Sequence, residues 1–459
     1  WFFDQRMSEP QHWNQSLLLR GTETVDASAL EQALLALYAQ HDALRLRFAD
    51  GSAEHGPLQP AQPLLWRAAL RSAEEIEATC EEAQRSLDLA QGPLLRAVLI
   101  DLADGGQRLL LVIHHLVVDG VSWRVLLEDL HDAYRQALAG STPKLPAKTS
   151  AFKTWGERLQ QHAASLDSEL AYWQGQLAGA PLDLPEAELG ASLQNRHRQS
   201  VQARLDAELT RRLLQQAPAA YRTQVNDLLL TALARVVCRW SGADSALVEL
   251  EGHGREDLFD DIDLSRTVGW FTSAYPVRLT PAAELGASIK QVKEQLRGVP
   301  HKGIGFGALR YLGDEAARAS LAGLPVPRIT FNYLGQLDGQ FDERALFVPA
   351  AESAGEEQSP LAPLGNWLVL NGQVYGGELS LAFSFSGQMF ARATIERLAR
   401  AYEAELAALV EHCQAPQGLT PSDFPLAGLS QAQLDALPVA VAEVEDIYPL
   451  SPMQQGMLF

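Results

Sequence analysis

The stretch LLLVIHHLVVDGVSW, residues 109–123, constrains the fold more than any other part of the chain. An aliphatic run with β-branched residues predicts a strand buried in a sheet. It ends on two adjacent histidines, His114 and His115, with Asp119 and Gly120 close behind. Leu126, Leu130, Ala133, Tyr134 and Ala137 then recur at helical spacing. That spacing predicts a helix capped by Ser122, running to about Ala139 and closed by Gly140. A strand turning directly into a helix is the unit of an α/β layer, and such strand ends are where ligands bind.

Two imidazoles at a strand end admit several readings. Neighbouring residues of a strand point to opposite faces, so His114 and His115 are poorly placed to share a metal ion. The spacing also lacks the i, i+4 pair of a helical zinc site. If one histidine faces the core, the other points outward as a general base, the work to which imidazole is best matched near neutral pH. Two core histidines satisfied by backbone groups fit the spacing equally well, so both readings stand at this point. Asp119 is suited to orient a backbone group or an arginine, and Gly120 to permit a tight turn.

The rest of the chain alternates in the same way. HWNQSLLLRG and PLLRAVLIDL read as strands and SALEQALLALYAQHDAL as an amphipathic helix. After the breaker segment STPKLPAKTS, a second section holds the helix TQVNDLLLTALARVVCRWSG, the strands SALVELEG, VPRITFNYLG and GELSLAFSFSG, and the helix ATIERLARAYEAELAALVEHC. At 459 residues there is material for more than one packing unit. The expectation is two α/β halves, each a sheet covered by helices on one side. A net charge of −20 argues against a nucleic-acid partner, and no apolar run reaches the ~18 residues that cross a membrane. Cys80, Cys238 and Cys413 are odd in number and widely spaced, which fits a reducing, cytoplasmic setting and no zinc knuckle.

A second cluster begins at Glu249. Glu249 and Glu251 alternate on a strand and share a face, just before GHG, whose glycines let a loop enter a cavity. Half-buried together, the two carboxylates would raise one another's pKa and improve one as a base. A solvated carboxylate pair is the plainer reading. Arg255 can pair with either of them or with Glu256. Asp129 suits a structural ion pair, and Met453 with Met457 suits packing rather than a cofactor site.

HHLVVDGVSWRVLLEDL resembles the HHxxxDG motif of nonribosomal peptide synthetase condensation-type domains, a superfamily similar to chloramphenicol acetyltransferase. That resemblance implies two lobes in a V-shaped pseudo-dimer, each a β-sheet with covering helices, with the active-site tunnel between them. It puts His115 in the tunnel and gives Asp119 a structural part. Further motifs resemble the epimerization class: ELEGHGRED (249–257), TVGWFTSAYPVRL (267–279), HKGIGFGALRYL (301–312) and FNYLGQ (331–336). His301 stands where members of that class often have Asn. The matches run in order from residue 1 to about 430. They imply an N-terminal lobe at 1–180, a C-terminal lobe at 181–430, and a linker with the first residues of a following condensation domain at 431–459.

The resemblance implies an isomerase that needs no intrinsic cofactor. Its substrate would be an aminoacyl or peptidyl thioester on the 4′-phosphopantetheine arm of a carrier protein. His115 and Glu251 would handle the α-proton from opposite sides, a two-base epimerization of L to D. His114, Asp119, Gly120 and Arg255 would support the site. Protonated His115, Asn332, Tyr333 or backbone amides would stabilise the enolate; Asn332 and Tyr333 are adjacent on a strand, so only one faces the tunnel. YPLSPMQQGMLF at 448–459 resembles the opening of a condensation domain and WFFDQRM the tail of an equivalent opening, implying a carrier protein upstream and a condensation domain downstream. The rivals are a condensation domain, which needs no base at Glu251, an inactive domain that only docks carrier proteins, and a stand-alone acyltransferase using coenzyme A. A dual epimerization/condensation type is disfavoured because YAQHDALRLRF holds a lone His41.

Overall fold

The computed structural model describes residues 1–49, 51–336 and 346–457. The N-terminal half contributes β1 (Asn14–Gly21), the hairpin strands β2 (Leu46–Ala49) and β3 (Ser52–His55), β4 (Leu65–Leu70), β5 (Leu95–Leu102) and β6 (Gln107–His114). The C-terminal half contributes β7 (Arg198–Leu205), β8 (Ala246–Gly252), β9 (Ser273–Leu279), β10 (Ile329–Gln336), β11 (Phe347–Pro349), β12 (Leu368–Tyr375) and β13 (Glu378–Ser386). They form a sheet ordered β11-β1-β6-β5-β4, a sheet ordered β7-β13-β12-β10-β8-β9, and the β2-β3 hairpin.

The first sheet is covered on both faces, not one. Leu19, Leu99, Leu109, Leu111 and Ile113 pack with the helices Ala27–Gln40 and Gly120–Leu138. The alternate residues Leu18, Val98, Ile100, Leu110 and Val112 pack with Ile76, Cys80 and Ala83 of the helix Ile76–Gln84. That helix is the crossover that lets β4 and β5 run parallel. The physical reason lies in β5 and β6: their sequences are apolar at consecutive positions, the mark of a strand buried on both sides.

In the second sheet β8, β10 and β12 run parallel. The helices Val225–Ser241 and Arg392–His412 bury Leu229, Leu230, Leu233, Ile395, Tyr402 and Leu409 against it. Each such large apolar side chain contributes about 1.5–3 kcal/mol. Three parallel strands therefore end at one edge, where Glu251 and Asn332 stand.

The chain does not divide between the lobes at residue 180. Ala163, Leu166 and Trp173 already belong to the core of the second lobe. Conversely, β11 crosses back to pair with β1, placing Phe347 opposite Gly21 and Pro349 opposite Leu19. An unpaired edge of β1 would leave a row of backbone donors and acceptors open, and β11 closes it. The stretch that follows the helix Arg392–His412, including the start of the expected linker, also docks. Leu419, Phe424 and Leu434 form a small core, and the buried Lys293 ammonium donates to Asp423 Oδ1 at 2.6 Å and to the Tyr221 carbonyl at 2.8 Å. Arg222 holds the carbonyls of Val444 and Glu445. Met453 and Met457 do not pack: each is 75% exposed. The last two residues of the YPLSPMQQGMLF stretch lie outside the described residues.

Candidate active site

The histidine pair divides its labour by geometry. His114 closes β6 with its side chain fully buried. Its Nε2 donates to the Pro10 carbonyl at 2.8 Å and its Nδ1 accepts from the Leu116 amide at 3.1 Å. Both nitrogens are committed, and burial pushes its pKa down to about 4. It stays neutral and anchors the strand end. His115 turns the other way. Its amide donates to the Trp13 carbonyl, its Nδ1 donates to the Val118 carbonyl at 3.0 Å, and its ring lies over Trp270 at 4.2 Å. A carbonyl accepts only, so the Nδ1 proton is assigned and Nε2 keeps its lone pair. Burial also holds the His115 pKa below the ordinary histidine value.

Asp119, not Ser122, caps the helix Gly120–Leu138, accepting from the Ser122 amide at 2.8 Å. The same carboxylate accepts from the Ser122 hydroxyl, from the Phe271 amide at 3.0 Å and from Arg255 Nη2 at 3.0 Å. Arg255 is thus the partner of Asp119 and not of Glu249, Glu251 or Glu256. Its other terminal nitrogen donates to the carbonyls of Leu264 and Thr267, and its plane lies 4.0 Å over the Phe271 ring. The pair ties the turn of the first lobe to the loop leaving β8 of the second. Gly120 is not needed for a special turn: its φ is not left-handed, and a methyl group there would meet nothing within 4 Å. The glycine that matters is Gly254, at φ +67°, where a Cβ would lie 1.6 Å from the Phe271 carbonyl oxygen. Close approach of two backbones, rather than a flexible loop, is what the GHG segment supplies.

Glu249 and Glu251 share one face of β8, and the adjacent β10 sets Thr330 and Asn332 beside them. Thr330 Oγ1 donates to Glu249 at 3.1 Å, and Asn332 Nδ2 donates to Glu251 Oε2 at 2.8 Å. Glu251 is itself exposed at the strand end, with many protein atoms around its carboxyl. Desolvation, aided by the charge of Glu249, raises its pKa to about 7; desolvation raises that of Glu249 as well. Tyr333, one residue on, turns to the opposite face and packs against the core of the second lobe. Of this adjacent pair, Asn332 is the one that reaches a carboxylate, that of Glu251.

The loop that starts beside Glu251 ends over His115. Between them Arg255, Gly269 and Phe271 are all bonded to Asp119 or Ser122, and Trp270 covers the imidazole. Arg266 adds a second tie across the lobes by pairing with the buried Asp129, which His41 of the first lobe also holds. His301 pairs with Glu169 at 2.6 Å, outside this constellation. Among the described residues no group of three or more His, Cys, Asp or Glu could hold a metal ion.

Residue-by-residue reasoning missed Gln15, Trp123 and Trp270. Gln15 Nε2 lies 3.2 Å from His115 Nε2, and Gln15 Oε1 accepts from Trp123 Nε1 at 2.9 Å. The one signal for Gln15 was three consecutive polar residues, Asn14, Gln15 and Ser16, ahead of the apolar run Leu17–Leu19 in the same strand.

The condensation domain family matches residues 1–423. A component of the linear gramicidin synthase of Brevibacillus parabrevis is 44% identical over 485 residues, covering 100% of this chain and 9% of that protein. Chondramide synthase of Chondromyces crocatus is 41% identical over 485 residues, covering 100% of this chain and 12% of that protein. The chain therefore spans a small part of the length of these relatives. Among solved structures, the epimerization domain from the third module of a tyrocidine synthetase matches with a TM-score of 0.84 at 36% identity, covering 90% of this chain and 96% of that one. The condensation domain from the Monacolin K polyketide synthase matches with a TM-score of 0.68 at 18% identity, covering 90% of this chain and 96% of that one, a likeness of fold alone. On its family match, its relatives and its two-sheet α/β fold, this chain belongs to the condensation domain family.

Proposed function

We propose that this domain inverts the α-carbon of an aminoacyl or peptidyl thioester carried on the 4′-phosphopantetheine arm of a carrier protein. The observation that carries the reading is a His115 Nε2 lone pair on one lobe, joined by the loop that leaves β8 and lays Trp270 against it to a Glu251 carboxyl of raised pKa on the other. Inversion must remove a proton from one face of a carbon and deliver one to the other, so it needs two groups of matched basicity. The similarity to an epimerization domain of known structure supports the same reading.

The pair works with one shared proton. With His115 neutral and Glu251 protonated, Nε2 takes the α-proton and the carboxyl then gives its own to the opposite face. With His115 protonated and Glu251 ionised, the roles reverse, which returns the other isomer. The pKa order, Glu251 raised and His115 lowered, favours the first arrangement in the unloaded site. A thioester makes the α-proton more acidic than an amide would, so these two groups suffice without an electron-sink cofactor. A carrier protein upstream and a condensation domain downstream are the partners this reading implies.

Condensation is the second reading, because the family match itself covers domains of that activity. It gives no task to Glu251 or to Asn332, which holds it. The test is α-proton exchange in deuterated water on a carrier loaded with several L-aminoacyl and peptidyl groups. A D/L mixture with solvent deuterium at the α-carbon supports epimerization. An absence of exchange together with a new amide bond when an acceptor carrier is added favours condensation.

A further inference from the structure

An enolate oxygen forming beside His115 needs a hydrogen-bond donor, and most donors near it are engaged. The amides of His115, Leu116, Gly269 and Phe271 donate to Trp13, His114, Ser122 and Asp119. Asn332 donates to Glu251, and Tyr333 faces the core. Gln15 differs. The indole N–H of Trp123 can only donate, so the oxygen of the Gln15 amide must face Trp123 and its NH2 must face His115. The amide cannot flip without setting N–H against N–H. Its N–H rests on the Nε2 lone pair, the atom that has to receive the α-proton.

We propose that Gln15 is a catalytic residue, the donor to the enolate oxygen, and that substrate binding moves its N–H from His115 Nε2 to the thioester carbonyl. The assignment rests on the epimerase reading. A carbon in position to give its proton to Nε2 sits about 3–3.5 Å from it. Its carbonyl oxygen lies about 2.4 Å from that carbon, so an oxygen turned toward β1 meets the Gln15 amide, whose Nε2 is 3.2 Å from His115 Nε2. The exchange conserves hydrogen bonds: the amide trades one acceptor for another, and the lone pair is released at the moment substrate arrives. As the C–H electron pair moves into the enolate, the proton goes to Nε2, the negative charge goes to the oxygen, and the Gln15 N–H bond to it strengthens. Glu251 then protonates the carbon from the other face. The groups whose charge bears on His115 are Asp119 on its own turn, balanced by Arg255 from the second lobe, and the neutral His114 on β6; from β1 comes the uncharged Gln15.

The test measures α-deuterium uptake on a carrier protein bearing thioesters that end in an aromatic, an aliphatic and a polar L-residue. Wild type, Gln15→Met, Gln15→Glu, Trp123→Phe and the Gln15→Met/Trp123→Phe pair are compared, with thermal melts of each. Loss of a preorganised oxyanion donor is expected to lower kcat about 10²–10³-fold in Gln15→Met, with KM little changed. Gln15→Glu places a negative charge against the enolate and should fall below Gln15→Met. Trp123→Phe, which only frees the amide to turn, should cost roughly tenfold and cost nothing further in the Gln15→Met background. Exchange by Gln15→Met at close to the wild-type rate overturns the assignment, as do equal losses in Gln15→Met and Gln15→Glu or a Trp123→Phe loss that persists without Gln15. No exchange by wild type on any substrate would instead sink the epimerase reading and this assignment with it.

Discussion

On the proposed two-base reading His115 and Glu251 share one proton in the working state, which makes pH the sharpest probe at the level of single residues. Below the depressed His115 pKa a second proton is bound and the base is lost; above the Glu251 pKa of about 7 the donor is lost. The exchange rate should therefore follow a bell whose acid limb lies below the ordinary histidine pKa and whose alkaline limb lies near 7, read from initial rates across pH 5–9. His115→Ala and Glu251→Gln should each lower exchange about 10²–10⁴-fold, while His114, with both nitrogens bonded to backbone, acts on stability. Glu251 carries a linked prediction for stability. Its folded pKa is raised, so the folded state keeps a proton that the unfolded state releases, and stability falls as pH climbs from the unfolded carboxylate pKa through about 7. Glu251→Gln should consequently melt higher than wild type at pH 8 and converge with it near pH 5. A wild-type advantage at pH 8 would mean that the carboxylate is stabilised as an ion.

Among elements, the segment between β8 and β9 decides whether the site exists. It leaves the second lobe at Gly252, bonds to the first lobe through Arg255, Gly269 and Phe271, and returns at Ser273. Gly254→Ala should be strongly destabilising at this crossing, because the new methyl would lie within covalent distance of the Phe271 carbonyl and the residue keeps a left-handed φ. Differential scanning calorimetry checks this; a melt unchanged from wild type would show that the loop can leave Asp119 at no cost. Gly120→Ala is the contrasting case, with a shift within about 0.5 kcal/mol expected for a surface substitution that meets open space. Element identity was largely legible: the apolar run before His114, the alternation around Glu251 and the helical spacing after Ser122 all appear as read. The N-cap was misplaced by three residues, since a carboxylate serving both a helix end and a distant arginine leaves no trace in local spacing.

Across the whole molecule, two lobes are held by charges buried between them. The Asp119–Arg255 pair is almost fully enclosed, with side-chain exposures of 4% and 8%. Arg255→Ala would leave Asp119 buried with one partner fewer, and removing one member of such a pair typically costs about 3–5 kcal/mol. Chemical denaturation should register that loss, and exchange activity should fall with it because Trp270 and Phe271 sit on the same loop. The replacement Asp119→Asn should be milder for the helix cap than for the arginine, since an amide still accepts from Ser122 but no longer neutralises Arg255.

Periodicity and residue type were enough to determine the α/β class, the strand that ends in His114, and the two clusters of titratable groups. These depend on contacts within a few residues, where spacing maps directly onto which face a side chain takes. Tertiary structure alone decided that Arg255 answers Asp119, that β11 completes the first sheet, and that Gln15 lies on His115 Nε2. Each of these joins residues about a hundred or more positions apart, or depends on which way an amide or imidazole faces once its neighbours have claimed the other atoms. The spacing of a chain sets local faces; partners that meet only when two sheets close on one another are set by packing.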